Sequence, residues 1–241
     1  MSDLGFLSYY LGIEVRQSNE SITLCQAGYA RKILEKLRMG ECNPCSIPMK
    51  PRTKMSKHGN GELAVDKTLY RSVIGSLRYL VNTRPDIAYS VGVMSRYMEA
   101  PTTSHLTAVK QILRYVKGTL SFGCVYKKKL SNVELVGFSD SDMAGDIDDR
   151  KSTTGVQLQV KPKLNVDNKS AIALAKNPVY HDRTIELEYV NTDKQLADIL
   201  TKPLARQRFL ELREKIGLRK ITRWFPCRLC WDYLRTLNLS K

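Results

Sequence analysis

A mixed α/β (α+β) fold is predicted for this 241-residue chain by three observations. Residues 9–17 and 22–26 alternate in the manner of paired strands. Apolar residues recur at helical spacing between Leu69 and Val116. Beyond residue 130, alternating apolar runs are interleaved with helical stretches, an order that favours a sheet covered by helices.

In chain order, Ser18, Asn19, Glu20 and Ser21 supply a turn between the first two strands, which makes them a hairpin. Ala30, Ile33, Leu34 and Leu37 then mark a helix that Gly40 ends. Pro44, Pro48, Pro51, Gly59 and Gly61 make residues 43–62 read as a linker and place a domain boundary there. Leu69, Val73, Leu77 and Leu80 form one helical stripe. Pro85 and Asp86 open a second helix with Ile87, Val91, Met94 and Met98, and Ser104 is placed to cap a third with Leu106, Val109, Ile112, Leu113 and Val116. These faces predict a small bundle. Further strands are expected to end near Asp140, Val160 and Asp167, with another over 185–190. Short helices are expected over 170–176 and 193–201, and a longer one over 206–217.

Charge is unevenly distributed. The chain carries 39 Lys and Arg against 24 Asp and Glu, yet residues 131–200 hold only 8 basic side chains against 12 acidic ones, so an acidic island lies between basic flanks. That arrangement suits a cation site within a polyanion-binding protein. Arg71 and Arg78 lie two turns apart on one helix, and Lys110, Arg114 and Lys117 line another. Both sets are candidate ridges for non-specific contact with nucleic-acid phosphates, or else ordinary solvated helix faces. No apolar run reaches the roughly 18 residues that span a bilayer, and no basic-then-apolar leader opens the chain, so an intracellular protein without membrane contact is expected.

Cys42 with Cys45 and Cys227 with Cys230 each show C-x-x-C spacing, but the two pairs lie far apart in the chain. Zinc ribbons place their pairs about 15–20 residues apart, so reduced thiols are the expectation. Asp140, Asp167 and Asp198 are more informative. Asp140 and Asp167 each follow an apolar run and precede small or polar residues, as carboxylate ligands at strand ends do, and Asp198 follows Leu196 and Ala197. Such ligands suit Mg²⁺, which prefers oxygen donors, and a two-cation site with ions roughly 3.5–4 Å apart needs several carboxylates. Taken singly, Asp167 could cap a helix near Ser170, and Asp198 could be an exposed helix residue paired with Lys194 or Lys202.

At these three aspartates the chain resembles the ribonuclease H domain of copia-type retrotransposon Pol polyproteins. The resemblance extends upstream. Residues 3–15 and 22–34 look like the end of a copia-type reverse transcriptase, leading from palm towards thumb; residues 69–80, 83–88 and 113–118 look like the segment joining polymerase to ribonuclease H. It implies a reverse transcriptase remnant over 1–50, a helical connection over 51–130, a truncated ribonuclease H-like domain over 131–205 and a basic tail over 206–241. It further implies Asp140, Asp167 and Asp198 as catalytic Mg²⁺ ligands, with an RNA–DNA hybrid or duplex as partner.

Two departures from the family lower the expected activity. The polymerase Tyr-x-Asp-Asp hairpin has no match, so the chain reads as beginning after that active site. The family's fourth carboxylate, a glutamate opening the first long helix, also has no counterpart, for no Glu lies between Asp140 and Asp167. A three-stranded meander, a helix and a return strand need on the order of 45–55 residues, whereas 26 separate these aspartates. A second shortening follows His181 and Asp182, to which no role is assigned. The sheet is therefore expected to lack a strand and two helices, to expose an edge and to hold its aspartates together poorly. A catalytically inactive polyprotein fragment is the resulting expectation, with a nucleic-acid-binding remnant or an active metal-dependent ribonuclease H as alternatives. Residues 220–241, with both tryptophans, match nothing in the family.

Overall fold

The structure, a computed structural model, describes residues 6–53, 55–57, 62–128, 135–141, 154–160, 163–167 and 186–221. Its first sheet has the order β1-β2-β3-β4-β9, built from Tyr9–Tyr10, Ile13–Gln17, Ser21–Cys25, Phe122–Lys127 and Leu218–Lys220. All its pairings are antiparallel. The alternating run 9–17 is two strands rather than one. Leu11 and Gly12 both take positive φ, 46° and 80°, and fold Tyr10 back opposite Ile13 in a two-residue hairpin. Ser18 closes the next hairpin by accepting the Glu20 and Ser21 amides on its hydroxyl.

Between β3 and β4 run four helices, α1 (Ala27–Lys36), α2 (Lys67–Leu80), α3 (Ala88–Ser95) and α4 (Thr103–Gly118), with a short 3₁₀ turn at Pro85–Ile87. The bundle expected over 69–116 is present, with two local changes. On α2 the buried face is Tyr70, Val73, Ile74, Leu77 and Leu80, whereas Leu69 is 48% exposed. Buried Tyr70 donates its hydroxyl to the Met94 carbonyl, so an aromatic with a partner takes the place expected for a leucine. Thr102, not Ser104, caps α4: its side chain accepts from the His105 amide while His105 Nδ1 accepts from the Thr102 amide at 3.0 Å.

Residues 43–62 do not separate two cores. Met49 is buried in the same cluster as Leu34 of α1 and Ile112 of α4, and the Cys45 amide donates to the Arg114 carbonyl. Nor do residues 206–220 form a tail. They make α6 (Arg206–Lys215) and β9, with Phe209, Leu212 and Leu218 buried. Gly123 shows how tightly the first sheet closes, since a Cβ there would lie 2.5 Å from the Leu24 carbonyl oxygen and 2.8 Å from the Cys25 side chain. Residues 170–176, 181–182 and 222–241, with Cys227 and Cys230, lie outside the described residues.

A buried polar network joins the bundle to α6. Arg84 holds Asp86 through two hydrogen bonds of 3.0 and 2.9 Å and donates to the Thr119 carbonyl and hydroxyl. Tyr115 donates to Asp86 Oδ2 at 2.5 Å, and Arg213 of α6 donates to the Tyr115 hydroxyl at 3.2 Å. Burial opposes the Arg84 charge, but Asp86 and Tyr115 more than offset it and hold the guanidinium protonated. Burial, reinforced by Asp86, pushes the Tyr115 phenol well up, so it stays a donor.

The second sheet has the order β6-β5-β7-β8, from Thr154–Val160, Leu135–Ser141, Lys163–Val166 and Glu186–Tyr189. β5 and β6 are antiparallel, while β5, β7 and β8 are parallel. Despite the short connections, the four strands assemble, and α5 (Asp198–Thr201) contacts β5, β6 and α3.

Replacing Asp86 by Ala is expected to destabilise the protein by about 3–5 kcal/mol, because the Arg84 charge is left buried without its partner. Pairing Asp86→Leu with Arg84→Met should recover most of that loss. Urea denaturation of the three proteins checks both outcomes.

Candidate metal centre

The candidate centre lies where the second sheet meets the helical body. Asp140 is in the last turn of pleat on β5, opposite Gly155 of β6. On the other side β7 runs parallel, with Val166 beside Ser139, so the next residue along β7, Asp167, emerges at the same sheet end as Asp140. Asp198 comes from the first residue of α5, whose Ile199 is buried in the helical core. One carboxylate oxygen from each aspartate lies within 4.8 Å of the other two. Asp140 and Asp198 are buried and Asp167 is half-buried. The sequence expectation that the shortened connections would hold these residues together poorly is thus corrected.

Gln195 explains much of that assembly. A continuous helix was expected over 193–201, but the chain forms a 3₁₀ turn at Thr192–Lys194 and then opens to an extended conformation at Gln195. The fully buried Gln195 side chain donates to the Ser139 carbonyl at 3.0 Å and accepts the Ala197 amide at 3.2 Å. One side chain therefore ties β5 to the start of α5, fixing Asp198 against Asp140. A polar residue at an inward position of an otherwise helical stretch is the sequence signal for it.

The carboxylates are surrounded by cations and a hydroxyl. Lys202 Nζ is 2.8 Å from Asp198 Oδ1 and 3.1 Å from Asp140 Oδ2. Thr201 donates its hydroxyl to Asp140 Oδ2, and Arg208 lies 3.9 Å from Asp198 Oδ2. The pairing of Asp198 with Lys202 was legible from their spacing of four; the burial of Asp198 was not, and it is not an exposed helix residue. Burial raises the Asp198 carboxyl above its ordinary value, with Asp140 adding to the shift and Lys202 opposing it. Burial works against the Lys202 charge, but hydrogen bonds to Asp198 and Asp140 hold the ammonium above its ordinary value. Three converging carboxylates offer the hard oxygen donors that Mg²⁺ requires, so the residues fit such an ion.

The basic ridges are less open than their spacing suggests. Arg71 donates to the Met98 carbonyl at 2.9 Å, Arg114 to the Asn43 carbonyl at 2.6 Å and Lys117 to the Gly40 carbonyl. Arg78 and Lys110 are exposed. Cys45 donates to the Ile47 and Gln111 carbonyls, and burial raises its thiol above the ordinary value. No described helix is long and apolar enough to cross a membrane.

Residues 1–51 match the family described as reverse transcriptase (RNA-dependent DNA polymerase). The chain is 32% identical to the Retrovirus-related Pol polyprotein from transposon RE2 of Arabidopsis thaliana, over 89% of this chain and 19% of that protein. It is equally identical to the corresponding polyprotein from transposon TNT 1-94 of Nicotiana tabacum, over 90% of this chain and 22% of the relative. The chain thus spans about a fifth of the length of these curated relatives. The match to RE2 runs over 283 positions, more than the 241 residues available, so RE2 carries residues that have no counterpart here. No solved structure matches the chain at a significant level.

Replacing Gln195 by Ala is expected to lower stability by about 1–2 kcal/mol through the two lost hydrogen bonds, with faster amide exchange in β5 as the local signature. The pH dependence at Lys202 follows from its raised value. Its contribution is complete below the ordinary lysine value of 10.5 and is lost as pH climbs through the higher folded value. The Lys202 side chain is 36% exposed, so solvent screens the effect. Thermal melts above that pH should separate wild type from Lys202→Met less than melts at neutral pH do.

Proposed function

Because the chain belongs to the copia-type retrotransposon Pol polyproteins and includes part of their reverse transcriptase region, we propose that it is a catalytically inactive piece of the reverse transcriptase–ribonuclease H region that keeps a metal-binding carboxylate triad. Residues 1–50 correspond to the end of the polymerase, 51–130 to the helical connection and 131–205 to a truncated ribonuclease H-like module. The observation that carries this reading is the convergence of Asp140, Asp167 and Asp198 from two neighbouring strands and a helix, with one oxygen of each within 4.8 Å of the others.

When bound, divalent cations in such a centre supply an activated water and a clamp on the scissile phosphate. Asp140, Asp167 and Asp198 would hold the ion. Hydrolysis demands more than retention, since two close cations need enough negative charge to offset their repulsion. Three carboxylates are present, two of them already neutralised in part by Lys202. The absence of any Glu among the 26 residues between Asp140 and Asp167 supports loss of the segment bearing the fourth carboxylate. Gln195 and Thr201 act as positioning residues, the first by fixing α5 to β5 and the second by orienting Asp140.

A second reading is supported by the formal charge of +15, concentrated outside residues 131–200. Weak, sequence-independent binding to hybrids or duplexes through Lys and Arg would follow, with Arg78 and Lys110 the exposed members of the two ridges.

A labelled RNA–DNA hybrid incubated with the protein in Mg²⁺ or Mn²⁺ is expected to remain uncut. Cleavage that Asp140→Asn abolishes would mean that another ligand replaces the missing glutamate. Binding to the same hybrid should be measurable at low salt and fall steeply as salt rises, and removing Arg78 and Lys110 together should lower the salt slope by roughly two. Binding indifferent to salt would remove the second reading.

A further inference from the structure

We propose that Lys202 is an internal competitor for the metal centre: its ammonium holds one oxygen of Asp140 and one of Asp198, so a divalent cation ligated by both carboxylates would have to compete with Lys202. The inference rests on the reading of the aspartate triad as a metal site and adds a residue that controls its affinity.

Position makes Lys202 suited to this. It follows α5 directly, and its extended backbone, φ −133° and ψ 146°, ends the helix there. The side chain lies within hydrogen-bond distance of Asp198 Oδ1 at 2.8 Å and Asp140 Oδ2 at 3.1 Å. Its single positive charge therefore bridges the β5 carboxylate and the α5 carboxylate. Arg208, 3.9 Å from the other Asp198 oxygen, adds a second positive charge. Asp167, the third member of the triad, has no ion pair with either cation among the salt bridges of the described residues. A divalent ion arriving at Asp167 thus meets one carboxylate open to it and two already engaged, and the repulsion between it and an ammonium at the shared oxygens is strong in a partly buried site. The ammonium rotates out on a flexible four-carbon stem, which makes exchange feasible where a fixed guanidinium would not allow it.

Mn²⁺ titration of the full chain, with free ion read by electron paramagnetic resonance, tests this. Lys202→Met is expected to bind Mn²⁺ at least about tenfold more tightly than wild type, and Asp140→Asn should abolish binding in both backgrounds. Equal affinities in wild type and Lys202→Met, both lost with Asp140→Asn, would overturn the competitor role and leave the metal site standing. Absence of Asp140-dependent binding in both proteins would overturn the competitor role and the metal site together. Amine footprinting of wild type covers the case in which the variant does not fold. Adding Mn²⁺ should raise the acylation rate of Lys202 several-fold while leaving that of Lys110 unchanged; an unchanged or slower rate at Lys202 would overturn the inference.

Discussion

The buried contact of Arg84 with Asp86 holds the helical body together and, through it, the carboxylate junction. Both side chains are almost fully removed from water, at 3% and 1% exposure, so each requires its partner. Arg84 also reaches Thr119 at the end of α4, and Asp86 accepts from Tyr115, whose hydroxyl in turn accepts from Arg213. Phe209 meets Tyr115 edge to face at 5.5 Å, and the Arg213 guanidinium lies 4.3 Å from the centre of the Phe122 ring. One ion pair therefore fixes the bundle, the entry to β4 and the buried face of α6. With α6 in place, the short α5 between it and β5 has a defined position, and Asp198 is aimed at the second sheet.

The carboxylate triad is consequently a junction between two sheets. Asp140 and Asp167 belong to one and Asp198 to the helical body seated on the other. Like charges brought together at such a junction would repel, and Lys202, Thr201 and Arg208 offset that repulsion. The same groups that make the junction stable without a metal-ligating glutamate weaken the field available to a divalent ion. Retention of the junction and the loss of hydrolytic competence that we propose share this one charge arrangement.

Much of this was legible from local pattern. Helical periodicity places α1, α2 and α4, and the resemblance singles out the three aspartates. What escaped depends on partners distant in sequence. The turn at Leu11 and Gly12 interrupts an alternating run, because a leucine at positive φ is rare and leaves no warning in the pattern. Pairing of β3 with β4, and of β4 with β9, links segments roughly a hundred residues apart, and local pattern carries no register for them. The expected linker at 43–62 is rich in proline, yet Met49 is buried in the helical core. Gln195 breaks the expected helix because its hydrogen bond to Ser139 of β5 and the one it accepts from the Ala197 amide outweigh local helical preference.

We propose that a metal-binding triad survives in a module that has lost a catalytic ligand. A crystal of the full chain grown with Mn²⁺, and its anomalous difference density, tests this most directly. The account predicts one peak bonded to oxygens of Asp140, Asp167 and Asp198, with the Lys202 ammonium turned away from the shared oxygens. An ordered Asp140–Asp198 junction with Lys202 in place and no peak beside it at saturating Mn²⁺ would contradict it.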